Sequence, residues 1–288
     1  MTRLPEKISA CLLLLLLVIA CRKSEVPAPD VEEAEKILKD VFYGQQAAQK
    51  MDVYLPANRS TSSTKVIILI HGGGWNSGDK ADLNPYVDSL RRREPSYAIF
   101  NINYRLFDGN TNRFPAQEND VKTAIEFIVN KSAEYKISNK IVLIGASAGA
   151  HLALLHAYKY ASPVKIKAVV DFFGPADLIS LYNNPPNPLV PLLLSAVTGH
   201  TPSGNNAIYY ESSPLNYVNA ASSPTIILQG GVDPVVPPVQ SELLRNKLQA
   251  EGLAHQYVFY PLEGHGWTGS TLSDSFNKIQ AFLALYVD

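Results

Sequence analysis

The pentapeptide Gly145-Ala146-Ser147-Ala148-Gly149 sets a serine between two glycines, with four apolar residues (141–144) before it and an apolar run (150–155) after it. Strand, tight turn and helix is the context in which such a serine acts as a nucleophile. The turn projects the hydroxyl from the sheet edge at the positive end of the helix. The glycines let strand and helix approach closely, and Ser147 is expected in a strained backbone conformation. A serine hydroxyl attacks a carbonyl effectively only when a base takes its proton. His265, flanked by Gly264 and Gly266, is the candidate base. Asp233, in the turn 230–234, is the candidate partner of the other ring nitrogen, where a carboxylate fixes the tautomer and favours the imidazolium.

Attack on a carbonyl creates an oxyanion, which needs donors. His71-Gly72-Gly73-Gly74-Trp75 supplies a bare backbone whose N–H groups can converge on an anion. The expected donors are the N–H groups of Gly73, Gly74 and Ala148. Losing one such donor typically costs about 2.7–4 kcal/mol of barrier. Trp75 and Trp267 are expected to flank the acyl or alcohol pocket, although core packing explains both equally well.

The remaining polar residues read more plainly. His71 is expected to anchor its loop rather than act as a base. His151, one helical turn after Ser147, is expected to pack. Asp120 and Asp177 are alternative acids to Asp233, and Asp171 is a weaker one. No His/Cys/Asp grouping has the spacing of a metal site, and the glycine loop lacks the Gly-Lys-Ser pattern of a phosphate loop, so no metal or other cofactor is expected.

These residues need a scaffold that brings them to one place. Residues 65–70 are an uninterrupted apolar strand, of the kind buried on both faces of a parallel sheet. Further strands are predicted at 50–56, 97–103, 141–144, 167–173, 224–229 and 256–260. Helices are predicted at 81–93, 115–130, 148–160, 238–250 and from about 268 to 286. Alternation of this kind implies an α/β fold with a doubly wound, mostly parallel sheet, whose sites lie beyond the carboxyl ends of the strands. The glycine loop, Ser147, Asp233 and His265 each follow a strand. Residues 176–223 change composition and surround one apolar piece, 189–197, which reads as a small cap over that edge.

The 288 residues carry 25 basic and 26 acidic side chains, so no charge imbalance points to nucleic acid. Arg3 and Lys7 precede a short apolar run that includes six leucines, 12–17. Such a run is too short for a membrane span and reads as a secretory signal. The sequence Val18-Ile19-Ala20-Cys21 resembles the lipobox of bacterial lipoproteins. That resemblance implies cleavage after residue 20 and lipid attachment at Cys21, with an ordinary signal peptide as the alternative. Residues 21–45 are then a tether and 46–288 the catalytic domain. The implied destination is a bacterial membrane, the outer one, with the domain in the periplasm or at the cell surface. Cys11 falls in the removed segment, so the mature domain has no cysteine for a nucleophile or an internal disulfide.

Several further stretches carry a family resemblance: residues 71–79, 103–106, 145–149, 213–218, 233–237 and 264–266. Together they resemble a carboxylesterase of the α/β-hydrolase fold, in the esterase/lipase group with His-Gly-Gly-Gly. The Ser, Asp, His order is that of the α/β-hydrolases. Trp75 with Gly78 and Asp79 resembles the feruloyl-esterase-like and kynurenine-formamidase-like branches. Ala146 departs from the aspartate of the hormone-sensitive-lipase branch, and Gln229 from a histidine frequent in relatives. The resemblance implies hydrolysis of small-molecule or carbohydrate esters through an acyl-enzyme. A serine peptidase or amidase on the same fold, and a non-catalytic binding module, are the alternatives.

Overall fold

The computed structural model describes residues 33–287. The expected signal peptide and Cys21 lie outside them.

Eight strands form one sheet: β1 (Lys36–Phe42), β2 (Lys50–Leu55), β3 (Val66–Ile70), β4 (Ala98–Ile102), β5 (Ile141–Ala146), β6 (Ala168–Phe172), β7 (Thr225–Gly230) and β8 (His255–Tyr260). Their spatial order is β1-β2-β4-β3-β5-β6-β7-β8. The pairs β1–β2 and β2–β4 are antiparallel, and all others are parallel.

The parallel strands are apolar at successive positions because both faces are covered. Val66, Ile68 and Ile70 enter one core, while Ile67 and Leu69 enter the other. The first core is closed by α2 (Ala116–Asn130), α4 (Ala148–Lys159) and α8 (Pro238–Ala250), through residues such as Val121, Leu152 and Leu244. The second is closed by α1 (Asn84–Arg93) and α9 (Gly269–Tyr286), through Val87, Leu90, Phe276 and Phe282. α3 (Ser132–Tyr135) is a single turn after α2.

Residues 36–42, expected to belong to a tether running to residue 45, form an edge strand instead, because β1 pairs with β2 from Lys36 onward. Its charges hide it. An edge strand exposes much of its surface, and charged side chains there discourage further pairing, so it reads like a solvated linker. Lys39 and Lys80 join it to the sheet through Asp52, each at 2.8 Å, and Lys80 also meets Asp40 at 3.0 Å.

Between β6 and β7 the chain forms α5 (Leu178–Asn183), α6 (Leu189–Thr198), α7 (Asn206–Glu211) and a 3-10 turn at Pro214–Tyr217. This is the insertion expected at 176–223. Asp177 caps α5 by accepting from the N–H groups of Ile179 and Ser180. Asn187 ties the start of α6 to the catalytic edge by donating to the Pro234 carbonyl at 2.7 Å.

Candidate active site

Ser147 sits between β5 and α4 at φ 53°, ψ −121°, a conformation that a residue with a Cβ adopts only under constraint. The constraint is close packing. A Cβ on Gly149 would lie 2.1 Å from the Ile70 carbonyl oxygen, and one on Gly145 would lie 2.3 Å from the Gly149 backbone. Only glycine at both places lets α4 start this close to the ends of β3 and β5.

The Ser147 hydroxyl donates to His265 Nε2 at 2.8 Å, and His265 Nδ1–H donates to Asp233 Oδ2 at 2.7 Å. The three side chains come from the ends of β5, β7 and β8 and are 32 and 118 residues apart in the two contacts. Asp233 is buried. Its other oxygen accepts the N–H groups of Val235 at 2.8 Å and Val236 at 2.9 Å. Those donors orient the carboxylate and leave Oδ2 for the imidazole. Gln229 approaches the same oxygen at 3.4 Å, while Ser241 donates to Gln229 Oε1 at 2.7 Å.

Opposite the hydroxyl, the glycine loop turns on Gly73 (φ 104°) and Gly74 (φ 58°). The Gly73 carbonyl accepts from Asn76 N, Ser77 N and Ser77 Oγ. Among the described residues the N–H groups of Gly73, Gly74 and Ala148 donate to no other protein group. All three residues border one cleft of about 490 Å³ that also holds Ser147 and His265. Leu181, Val190, Leu193 and Leu194 of the cap and Val235, Val236 and Phe173 form its apolar wall. Asn76, Ser77 and Asp82 form a polar one.

The BD-FAE family profile matches residues 51–248. The chain belongs to the BD-FAE family. It is similar to esterase LipC of Mycobacterium tuberculosis, 27% identical over 84% of this chain and 64% of that protein. It is also similar to dipeptidyl aminopeptidase BIII of Pseudoxanthomonas mexicana, 26% identical over 78% of this chain and 34% of that protein. The chain thus spans less than two thirds of the length of either relative. Among solved structures, the bifunctional GH43-CE protein of Bacteroides eggerthii superposes with a TM-score of 0.73, at 28% identity over 85% of this chain and 38% of that one. The fold is that of the α/β-hydrolases.

Within this BD-FAE chain the other singled-out residues separate cleanly. Trp75 borders the cleft. Trp267 does not. It lies in the second core, donates to Ser275 Oγ at 2.9 Å and packs on Phe172, Phe173 and Tyr260. The residue just before it, Gly266, turns the chain at φ 111°, and the indole is directed into the core between the sheet and α9. Its link to the site runs through Phe173, whose ring lies 5.3 Å from the indole and 4.7 Å from the His265 ring.

His71 anchors its loop. Nδ1–H donates to the Gly72 carbonyl at 2.7 Å, and the ring stacks on Tyr104 at 4.3 Å. Burial holds its pKa below the usual histidine value. Asp120 is engaged by Arg105 and Gln49, at 2.6 and 2.7 Å, and does not border the cleft. Asp171 is buried under the edge and accepts from Gly174 N–H at 2.7 Å. Phe173 escapes the sequence reading. Its one signal is its place: it follows a strand and precedes Gly174-Pro175, where the backbone must turn at the same edge. Among the described residues, no group of three or more His, Cys, Asp or Glu side chains could hold a metal ion.

Proposed function

We propose that the chain is a serine carboxylesterase working through an acyl-enzyme. The observation that carries this reading is the hydrogen-bonded series Ser147–His265–Asp233, set against N–H groups that have no other protein partner among the described residues. Ser147 Oγ attacks the ester carbon as His265 Nε2 takes its proton, and Asp233 holds the imidazolium. The tetrahedral oxyanion lies between the N–H groups of Gly73, Gly74 and Ala148. His265 then gives the proton to the leaving alcohol. Water, activated by the same imidazole, releases the acid and restores the hydroxyl.

The cleft favours a compact aliphatic or aromatic acyl group against the cap leucines, and a hydroxylated alcohol such as a sugar against Asn76, Ser77 and Asp82. Turnover of p-nitrophenyl acetate by wild type and Ser147→Ala tests the reading, and equal rates reject it. The similarity to dipeptidyl aminopeptidase BIII favours a second reading, peptide or amide cleavage by the same groups. Matched aminoacyl esters and amides separate the two, and a clear preference for the amide overturns the first.

Export as a lipoprotein anchored at Cys21 belongs to the same proposal and rests on the basic start and apolar run of residues 3–20 and on the lipobox at 18–21. Membrane fractionation of the full chain and Cys21→Ala tests it. Equal release of both into the soluble fraction rejects it.

A further inference from the structure

Trp75 ends the glycine loop in a left-handed conformation, φ 61°, although it carries a large side chain. Something must hold it there. Its indole N–H donates to His151 Nδ1 at 3.3 Å, and its ring meets the His151 ring edge-on at 5.2 Å. Phe114 packs against both rings, at 6.3 and 5.5 Å. His151 Nε2–H donates to the Ser212 carbonyl at 2.6 Å. The next residue, Ser213, donates to the Tyr209 carbonyl and accepts from Leu178 N–H, which fixes the base of the cap. On its own helix, His151 N–H donates to the Ser147 carbonyl at 3.0 Å.

We propose that His151 is a positioning residue: its two ring nitrogens join Trp75 to Ser212 and so lock the oxyanion loop in register with the nucleophile helix and the cap. This rests on the esterase reading above. A neutral imidazole suits the task because one nitrogen accepts while the other donates, which an apolar residue of the same volume cannot do. Complete burial keeps the ring neutral by lowering its pKa to about 4, so both contacts persist at neutral pH. Leu193 of the cap also rests on this loop, so close that a Cβ on Gly74 would lie 2.9 Å from its side chain. The loop is therefore held by the cap as well as by His151, and the His151 contacts set where its N–H groups point.

The test compares Trp75→Phe, His151→Asn, His151→Leu and the double variant Trp75→Phe/His151→Leu in ester hydrolysis, with melting temperature measured alongside. Trp75→Phe removes the indole donor and keeps a smaller aromatic ring. His151→Asn retains an acceptor near the Nδ1 position. Trp75→Phe and His151→Leu are expected to lower kcat roughly 10-fold with KM changed far less, since the loss falls on the transition state. The double variant is expected to lose no more than either single one, and His151→Asn, which keeps the Trp75 link and lacks the Ser212 link, to recover part of the lost kcat. Wild-type kcat in Trp75→Phe, or equal losses in His151→Asn and His151→Leu, overturns the proposal.

An arm without activity separates this from failure of the esterase reading. The chain has two tryptophans, so nitrogen-15 indole spectra give two side-chain resonances. His151→Leu is expected to shift that of Trp75, and an unmoved resonance overturns the proposal. Equal ester turnover by wild type and Ser147→Ala overturns only the esterase reading.

Discussion

The ring of Phe173 lies 4.7 Å from the imidazole of His265, tilted by 56°, and forms the wall that keeps that imidazole facing Ser147. Phe173 is itself held at φ 46°, between Asp171, which accepts from Gly174 N–H, and Trp267, which packs on the phenyl ring. The base is thus placed by its carboxylate on one side and by an aromatic stack on the other.

Removing that stack should loosen the base without touching the triad. Phe173→Ala is expected to lower kcat roughly 10-fold with a smaller change in KM, because a displaced imidazole costs most where the proton moves. Steady-state kinetics check this, with a melting curve to confirm folding. An unchanged kcat would show that Asp233 alone positions the ring.

Asp171 gives a prediction about stability. Burial pushes its carboxyl up to about 7, and Oδ2 has no hydrogen-bond partner among the described residues. In the unfolded chain it titrates near its ordinary value of about 3.9. The folded state therefore keeps the proton where the unfolded state has lost it. Stability present below about pH 4 is lost as the pH rises towards 7. Asp171→Asn is expected to stabilise the protein at about pH 8 by on the order of 1–3 kcal/mol and to add nothing at about pH 4. Urea unfolding at the two pH values checks both the gain and its disappearance.

Leu193 predicts selectivity. It lines the cleft from the cap and covers Gly74. Leu193→Ala should raise the preference for long over short acyl esters, and Leu193→Trp should lower it, each by roughly 10-fold, the low end of what one methylene is worth in an apolar pocket. The ratio of kcat/KM for octanoyl and acetyl esters is the measurement.

Gly149 predicts intolerance. A Cβ there meets the Ile70 and His71 carbonyl oxygens at 2.1 and 2.4 Å, which are backbone and cannot turn aside. Gly149→Ala is expected to cost about 2–3 kcal/mol of stability and most of the activity. Thermal unfolding and ester turnover check the two halves.

Much of this arrangement is legible in the order of the residues. Ser147, Asp233, His265 and the glycine loop each follow an apolar strand, so a parallel sheet has to deliver them to one edge. The apolar piece at 189–197 between polar stretches marks the cap helix α6. What stays hidden depends on neighbours distant in the chain. Trp267 resembles a pocket residue because it stands two positions from His265, yet the turn at Gly266 sends it into the core. His151 resembles a packing residue because its two partners, Trp75 and Ser212, are 76 and 61 residues away. β1 resembles a linker because charged residues break up its apolar ones, and most of the strand is exposed at the sheet edge.

Activation of Ser147 by His265 is the step on which every other role depends. Labelling with a fluorophosphonate, followed by mass spectrometry of the modified peptide, tests it directly. The expected result is one adduct on Ser147 in the wild type, no adduct in Ser147→Ala, and labelling slowed at least a hundredfold in His265→Ala, within the range of about 10²–10⁴ that a positioned base supplies. An adduct on another residue, or labelling of His265→Ala at the wild-type rate, would contradict it.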